Sequence, residues 1–546
     1  MEQRRTYDVL ILGSGIAGTI LGAILARHGV SVALIDGGTH PRMAIGESTI
    51  PYTSALLRLL AGRYDLPELR NLTSFSLMDR KVSASNGIKT NFGFVYHRPG
   101  EPVRPEETNQ VVIPKLLDVE HHLFRQDVDA YMLTVAIRYG CDSFQGIRVT
   151  DVHQDDAGVT LETTKGAFRG RYLADASGYA SPVAKKYGLR EEPCSLKHQS
   201  RGLFTHMTGV PPFEDCVDPS RRAGAPRRWS QGTLHHLFDG GWMWVIPFDN
   251  HPLARNSLVS VGFLLDPRRY PKWEGNPERE FRAIVDRYPD MKRQFANART
   301  VRPWVSSGRI QYSSSAMVLD RICLTAHAAG FVDALYSQGL AITMNTINLL
   351  AGRLISACKD NDFSRERFLP VEKVALSMVR RHDRVVYAAF VGFRDYRLWN
   401  AAVRVWALGA FLGAFQAQNV LKAYQKTGDV KVFDAMELGP HYGAAIPTSS
   451  AYDDLLDSLV ADCELVEKGS LDVEEAARLT FQRLSQSTIV PPAFGLTDPS
   501  IRFFHPTPPR MLKTMIWSKT RADVEVGAMV RKALRGFAAR RLLGVG

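Results

Sequence analysis

The chain has 546 residues, of which 45% are hydrophobic, 10% aromatic and 23% charged. This apolar content supplies a large core and excludes an intrinsically disordered or low-complexity protein. No stretch approaches the roughly 20 uncharged apolar residues of a membrane-spanning helix, and the first residues do not resemble a secretory signal. The net charge of +12 is scattered except at the C-terminal end, without the basic and aromatic pattern of a nucleic-acid-binding fold.

The cysteines and histidines give no sign of disulfide or metal chemistry. The six cysteines include no CxxC pair, so we expect buried free thiols in a reducing compartment. The pairs His121-His122 and His235-His236 have no further ligands nearby at metal spacing, so we expect no metal. Together with the composition, this predicts a soluble cytoplasmic protein without a nucleic-acid or membrane partner.

Residues 7–36 read as a strand, a glycine-rich turn, a helix and a second strand. Three glycines fit the pattern GxGxxG, which provides a tight turn, close approach of the backbone to a pyrophosphate, and close packing of helix on strand. An acidic residue follows after about 20 residues, where a carboxylate can bind ribose hydroxyls. The segment therefore predicts a dinucleotide site for NAD or FAD. The predicted cofactor contacts here are Gly13, Ser14, Gly15, Gly18 and Asp36.

Two later segments, residues 171–189 and 321–354, repeat the order of strand, small-residue turn and helix. They should return the chain to the same nucleotide-binding core. Between them, residues 195–320 are rich in strands, which is typical of a sheet that forms the floor of a substrate cavity. We therefore expect an α/β fold with a core over residues 1–360 and a helical region over residues 361–546 that covers the substrate pocket.

The second and third small-residue turns favour FAD over NAD. Together with Arg125 and Asp129, spaced i, i+4 on a helix, they resemble the FAD-binding pattern of flavoproteins of the p-hydroxybenzoate hydroxylase type, which have a GR2-type fold. That resemblance assigns Arg125 to the flavin site. The alternative for this pair is a solvated helical ion pair worth about 0.3–0.5 kcal/mol.

Two further motifs, WxWxIP at 242–247 and GEST at 46–49, resemble those of the flavin-dependent halogenases. Two tryptophans two residues apart could simply form one face of a core strand, but both motifs occur in the family's order together with the FAD pattern. The similarity extends from residue 5 to about 400, and is closest to halogenases of phenols and aromatic polyketides such as the chlortetracycline-pathway and phloroglucinol enzymes. It implies flavin contacts at Gly46, Glu47 and Ser48, and a wall between flavin and substrate at Trp242, Trp244, Ile246 and Pro247.

In this family, reduced FAD, oxygen and chloride or bromide yield hypohalous acid, which a lysine beside the substrate receives. Lys89 matches that lysine and has the apolar neighbours Ile88 and Phe92, whereas we expect the nearby Lys81 to be a surface residue. The chain has one GxGxxG-type unit, which the resemblance gives to FAD. We therefore expect a separate flavin reductase to supply FADH2.

The halide segment of the family is matched by Ser337, Gln338 and Gly339, whose backbone N–H groups would hold the anion. The match is incomplete, because Ala334 replaces a proline and Gln338 an arginine of the usual D-P-L-F-S-R-G. The family's aspartate beside the flavin ribityl chain is also replaced. In this part of the chain, the resemblance implies that His327 and Asp333 contact the flavin.

The resemblance also bears on the substrate. Tryptophan halogenases use a carboxylate near the halide segment, and Tyr336 occupies the corresponding position here. We therefore expect an already electron-rich phenolic ring, either free or tethered to an acidic carrier protein. Two alternatives stay open: a single-component FAD-dependent aromatic hydroxylase, and a flavin-binding homologue that has lost activity.

Overall fold

The computed structural model describes residues 6–113, 120–222 and 224–542. Its strands form an eight-stranded sheet, a nine-stranded sheet and a two-stranded ribbon. In chain order the strands are β1 (Thr6–Leu12), β2 (Val32–Asp36), β3 (Gly87–Lys89), β4 (Asn91–Tyr96), β5 (Thr108–Val112), β6 (Glu120–His122), β7 (Asp142–Gln145), β8 (Val149–Asp155), β9 (Gly158–Thr163), β10 (Gly166–Asp175), β11 (Arg201–Thr208), β12 (Gly232–Phe238), β13 (Gly241–Pro247), β14 (Val259–Leu265), β15 (Arg299–Thr300), β16 (Val305–Arg309), β17 (Val318–Leu319), β18 (Ile322–Leu324) and β19 (Phe503–Phe504).

The helices surround the sheets and make up most of the chain beyond residue 339. In chain order they are α1 (Ile16–Arg27), α2 (Pro51–Arg63), α3 (Phe75–Lys81), α4 (Arg125–Arg138), α5 (Pro182–Lys186), α6 (Phe213–Cys216), α7 (Pro277–Val285), α8 (Pro289–Phe295), α9 (Gly339–Asp360), α10 (Arg365–Gly392), α11 (Tyr396–Thr427), α12 (Asp434–Leu438), α13 (Ala451–Glu467), α14 (Val473–Gln486), α15 (Pro508–Thr520) and α16 (Val524–Leu542).

The eight-stranded sheet has the order β17-β18-β10-β1-β2-β7, with the β8–β9 hairpin attached to β10. Strands β18, β10, β1, β2 and β7 are mutually parallel, so their carboxyl ends meet at one edge of the sheet. The three predicted strand–turn–helix segments contribute β1, β10 and β18, which lie side by side. This confirms that these segments, far apart in sequence, return to one core.

The nine-stranded sheet has the order β15-β11-β14-β13-β12-β4-β5-β19, with β16 paired to β11. The predicted strand-rich region, residues 195–320, supplies β11 to β16. Strands β4, β5 and β19 come from outside it, so the prediction of this sheet was incomplete. Side chains alternate along β13: Trp242, Trp244 and Ile246 pack on the main core, whereas Met243 and Val245 pack on a second core that includes residues of α7 and α8.

Two helical segments, residues 335–360 and 396–427, are long and apolar enough to cross a membrane. In this structure 78% and 83% of their most apolar stretches are buried inside the protein, so they are core helices. All six cysteines are free. The expectation that all would be buried was wrong, because Cys194, Cys216 and Cys358 are only partly buried.

Candidate functional site

A cleft of about 690 Å³ opens at the carboxyl ends of β1, β2 and β10. Five of the predicted cofactor-binding residues line it, and they come from segments up to 300 residues apart because the parallel strands end at one edge. These five are Gly13, Gly15, Asp36, Arg125 and His327.

The three glycines of the turn have different surroundings. A Cβ on Gly13, whose φ is +99°, would lie 2.6 Å from the Ala176 carbonyl oxygen, and one on Gly18 would lie 1.9 Å from the Gly13 carbonyl oxygen. A Cβ on Gly15 would meet only the Asp129 carboxylate, at 4.0 Å. Protein packing therefore requires glycine at positions 13 and 18, whereas the space beside Gly15 is open to the cleft.

Asp36, at the end of β2, accepts hydrogen bonds from Ser14, Gly38 and Arg42. The backbone N–H and the hydroxyl of Ser14 donate to it at 2.6 and 2.8 Å, and the Arg42 guanidinium forms a two-pronged ion pair with it. Burial would raise the pKa of Asp36, but Arg42 and backbone N–H groups lower it to about 2. Arg42 also lines the cleft and was missed by the sequence analysis, since no motif of the family marks it.

Arg125, at the start of α4, joins the helix to the GEST loop. It forms a two-pronged ion pair with Asp129 at 2.8 and 2.9 Å and donates to the Ile45 carbonyl at 2.7 Å. The two side chains are only 9% and 2% exposed, so the alternative of a solvated helical ion pair is wrong. Because buried charges need fixed partners, the pair rigidly places the guanidinium at the cleft.

His327 borders the cleft beside the start of α9. Its Nε2 is buried and has no hydrogen-bond partner among the residues that the structure describes, and a Cβ on Gly339 would lie 2.9 Å from it. Burial, helped by the positive charge of Arg125, lowers the pKa of His327 to about 4. The neutral ring therefore offers one free nitrogen to a ligand.

Lys89 is fully buried at the end of β3. Its ammonium donates to the Ser48 hydroxyl at 2.5 Å and to the Thr49 carbonyl at 2.7 Å, and lies 3.4 Å from the centre of the Phe92 ring. Across the β3–β6 ribbon it is paired with the buried Glu120. Burial lowers the pKa of Lys89 well below its usual value, against the opposing charge of Glu120.

The predicted halide segment lies against this lysine. The Ser337 hydroxyl donates to the Ser48 hydroxyl at 2.9 Å, so Ser48 contacts both Lys89 and Ser337. Tyr336 and Ser337 have φ angles of 69° and 55°, followed by a right-handed Gln338 at the start of α9. This change of hand in consecutive residues is the geometry of an anion-binding nest, and it ends at a helix N-terminus.

The tryptophan motif lies in the middle of the nine-stranded sheet and faces the main core. The rings of Trp242 and Trp244 are 5.8 Å apart. The Trp242 indole donates to Asp333 at 3.3 Å, and that carboxylate also accepts from His198 and Ser200 at 2.9 and 2.7 Å. Asp333 does not line the cleft, in contrast to its predicted place at the flavin, because protein donors already surround it. Pro247, the proline of the tryptophan motif, ends β13 and lines a separate cavity at the opposite face of the sheet.

Two small cavities of about 70 and 30 Å³, named the aromatic cavities, share the residues Tyr52, Trp406 and Ala410. The smaller is apolar, whereas Arg381 and His382 also line the larger. The ring of Trp406 stacks on Tyr336, with centroids 4.3 Å apart and planes within 13°. Its indole nitrogen is buried and lacks an acceptor among the described residues. Helices α10 and α11 supply most of the residues that line the larger cavity.

The GEST loop connects these parts. Ile45, just before the loop, lines the cleft, and the Gly46 carbonyl accepts from Arg125. Two residues after Gly46, the Ser48 hydroxyl contacts Lys89. The buried Glu47, between Gly46 and Ser48, accepts from His206 at 2.7 Å. The structure thus brings the cleft, the lysine, the halide segment and the aromatic cavities together in one continuous region.

The chain is similar to known proteins in both sequence and structure. The profile of the tryptophan halogenase family matches residues 8–63. The chain is 46% identical to tetracycline 7-halogenase of Kitasatospora aureofaciens, covering 94% of this chain and 93% of that protein, and 44% identical to monodechloroaminopyrrolnitrin halogenase PrnC of Pseudomonas fluorescens, covering 95% and 93%. The crystal structure of halogenase PltM in complex with phloroglucinol and FAD matches with a TM-score of 0.88 and 34% identity, over 91% of this chain and 99% of that one. The chain belongs to the flavin-dependent halogenases.

Proposed function

We propose that the protein uses FADH2, oxygen and chloride or bromide to halogenate an electron-rich phenolic or aromatic polyketide ring through hypohalous acid and Lys89. The observation that carries this proposal is the position of Lys89. It is a fully buried amine, linked through Ser48 to Ser337, and its Nζ lies 3.4 Å from the ring of Phe92, which lines the smaller aromatic cavity. Mass spectrometry of a phenol panel with FAD, a reductase and either halide tests it, and product that requires halide would also exclude an inactive homologue.

The cleft fits FAD. The space beside Gly15 is the kind that a pyrophosphate needs at a helix N-terminus, and Asp36 and Arg42 would hold the adenosine end. The unpartnered Nε2 of His327 and the guanidinium of Arg125 would hold the remainder of the cofactor. When bound and reduced, FAD supplies hypohalous acid from oxygen and a halide.

Each residue of the lysine region then has a role. Of the predicted halide residues, Ser337 already donates its backbone N–H to the Ala334 carbonyl at 3.1 Å and its hydroxyl to Ser48. The backbone N–H groups of Gln338 and Gly339, at the start of α9, would therefore hold the halide. Trp242 and Trp244 would keep the substrate away from the cleft. In the neutral state, which its burial favours, Lys89 would receive the electrophile and present it to the ring.

The first prediction concerns the electron supply. The predicted and observed β1–α1–β2 unit is assigned to FAD, so purified protein with FAD and NADPH alone should neither bleach its flavin nor form product. Adding an external flavin reductase, or chemically reduced FAD, should start halogenation. The measurement is flavin absorbance together with product mass, and robust turnover without the reductase would contradict the prediction and favour a single-component enzyme. We propose that this protein and its flavin reductase are both cytoplasmic.

The second prediction concerns the substrate. Tyr336 supplies no carboxylate to assist substitution, help that is typically worth about 10²–10⁴-fold. A phenol can compensate, because its oxygen donates electron density to the ortho and para carbons, and it can accept a hydrogen bond from the unpartnered Trp406 indole. We therefore expect a resorcinol-type ring to react ortho or para to a hydroxyl, and its methyl ether and free tryptophan to be poor substrates.

The rates of the three compounds are compared under identical halide and FADH2 supply. Trp406→Phe is the test variant, because it keeps an aromatic ring against Tyr336 and removes the N–H donor. It also removes the rest of the five-membered ring, and the methyl ether measures that loss of packing. The variant should lower the rate of halogenation of the phenol more than that of the methyl ether. Equal rates for the phenol and either poor substrate in the wild-type enzyme would show that the substrate assignment is wrong.

A further inference from the structure

The hydrogen bonds of Lys89 continue beyond Ser48. The Ser48 hydroxyl lies 2.9 Å from the Thr233 hydroxyl, which lies 3.0 Å from Nε2 of His122. Nδ1 of His122 lies 2.9 Å from the carbonyl oxygen of Pro247, the last residue of the WxWxIP motif. Lys89, Ser48, Thr233 and His122 are all buried. The sequence analysis gave neither Thr233 nor His122 a role in the site.

The donor and acceptor of every hydrogen bond in this series are determined by its last member, the Pro247 carbonyl. A carbonyl oxygen can only accept, so Nδ1 of His122 carries the proton. Burial and the nearby Lys89 lower the pKa of His122 to about 3, so the ring is neutral and its Nε2 is an acceptor. Thr233 must therefore donate to His122, and Ser48 must donate to Thr233. The Ser48 oxygen is left to accept from Lys89.

From this geometry we propose that Ser48, Thr233 and His122 form a proton relay that deprotonates and reprotonates Lys89. One proton passes from Nζ to the Ser48 oxygen, the Ser48 proton passes to Thr233, and the Thr233 proton passes to Nε2 of His122. The ammonium becomes a neutral amine and the imidazole becomes an imidazolium. This imidazolium is short-lived because burial lowers the pKa of His122, whereas the charge of Lys89, which lowers it further, is lost in the transfer. The reverse transfers restore the starting state, and no other reactant is consumed.

The relay matters because it gives the buried Lys89 a place for its proton inside the protein. His122 is itself fully buried, so the proton stays on its ring and returns by the same path. The second hydrogen-bond partner of Lys89, the Thr49 carbonyl, cannot accept a proton from it under ordinary conditions. The inference rests on the proposed role of Lys89, which must be a neutral amine to receive the electrophile.

Other titratable and charged groups face the relay, and they define how a pH profile is interpreted. They are Glu120 and His121 on β6, His235 on β12 and Arg58 on α2. Burial lowers the pKa of both histidines to about 3, so they stay neutral above that range. Burial raises the pKa of Glu120, whose carboxylate accepts from the hydroxyls of Thr49 and Ser54. A Glu120→Gln variant therefore separates titration of Glu120 from titration of Lys89.

The test is a single-turnover halogenation assay with preformed FADH2, oxygen and halide, measured across pH. Thr233→Val keeps the shape of the side chain and interrupts the relay, and it should lower the rate near neutral pH by about 100-fold. The acid limb of the profile should move upward by about one pH unit, and FAD affinity should be unchanged. Thr233→Ser should restore both rate and profile. Thr480→Val, which removes a buried hydroxyl bond in α14, is the matched control and should behave as wild type.

The outcomes separate the relay from the role of the lysine. If Lys89→Ala stays active, the proposed function itself fails. If Lys89→Ala is inactive but Thr233→Val matches the wild type at every pH, only the relay is overturned. A Thr233→Ser variant as slow as Thr233→Val would also overturn it, because that would indicate packing. Should Thr233→Val not bind FAD, the wild-type proton inventory in H2O/D2O mixtures decides: a curved inventory supports the relay, and the absence of an isotope effect contradicts it.

Discussion

Lys89→Ala is expected to reduce halogenation below about 1% of wild type, the loss typical of removing a positioned proton-transfer or nucleophilic group. No other described lysine lies beside the halide segment. FAD affinity should stay unchanged, because Lys89 does not line the cleft. The measurement is halogenated product by mass spectrometry at saturating FADH2 and halide, together with FAD binding by fluorescence.

Two controls accompany this variant. Lys89→Met fills nearly the same volume without a charge, so it separates loss of the amine from a cavity beside the buried Glu120. Lys81→Ala removes an exposed lysine at the end of α3 and should have wild-type activity. Halogenation by Lys89→Met or Lys89→Ala above a few per cent of wild type would refute the assignment of Lys89.

Substitutions in the glycine-rich turn should have two different effects, a loss of FAD affinity at Gly15 and a loss of stability at Gly18. Gly15→Leu is expected to leave the fold intact, because the backbone at Gly15 is in an extended conformation and its side faces open space. It should weaken FAD binding by about 100-fold, or about 2.7 kcal/mol, because the side chain would occupy the pyrophosphate position. Gly18→Ala should instead lower the free energy of unfolding of the FAD-free protein by about 1–3 kcal/mol, since its Cβ would clash with the Gly13 carbonyl.

Denaturant unfolding of the FAD-free protein and titration with FAD measure the two effects separately. Gly275→Leu is the control, because a Cβ on Gly275 would meet no atom within 4 Å and the residue lies outside the cleft. Normal FAD affinity in Gly15→Leu would place the pyrophosphate elsewhere. A Gly15→Leu protein as unstable as Gly18→Ala would mean that packing, not cofactor binding, requires that glycine.

The sequence was most informative where function depends on neighbours along the chain. The β1–α1–β2 unit could be predicted because its turn, helix and acidic residue lie within 30 residues and each has a known backbone requirement. The WxWxIP strand and the GEST loop could be recognised for the same reason. Arg125 and Asp129 needed the structure, since only burial distinguishes an ordered pair from a solvated one.

The remaining contacts could not be predicted, because they join residues distant in sequence through sheet register and helix packing. Glu120 becomes the neighbour of Lys89 through the antiparallel β3–β6 pairing. Thr233 and His122 approach Ser48 from two different strands. Asp333 follows the family pattern in sequence, yet it lies under Trp242, surrounded by donors from the segment before β11.

The left-handed turn at Tyr336 and Ser337 has a thermodynamic consequence. Each non-glycine residue in this conformation costs of the order of 1–3 kcal/mol, so the turn persists only because its surroundings hold it. Part of that support is the stacking of Tyr336 on Trp406, a ring that also borders the aromatic cavities. A molecule that fills a cavity and shifts Trp406 changes the free energy of the turn, and with it the affinity of the turn for an anion. Because such coupling is reciprocal, the anion changes the affinity of the cavity by the same factor.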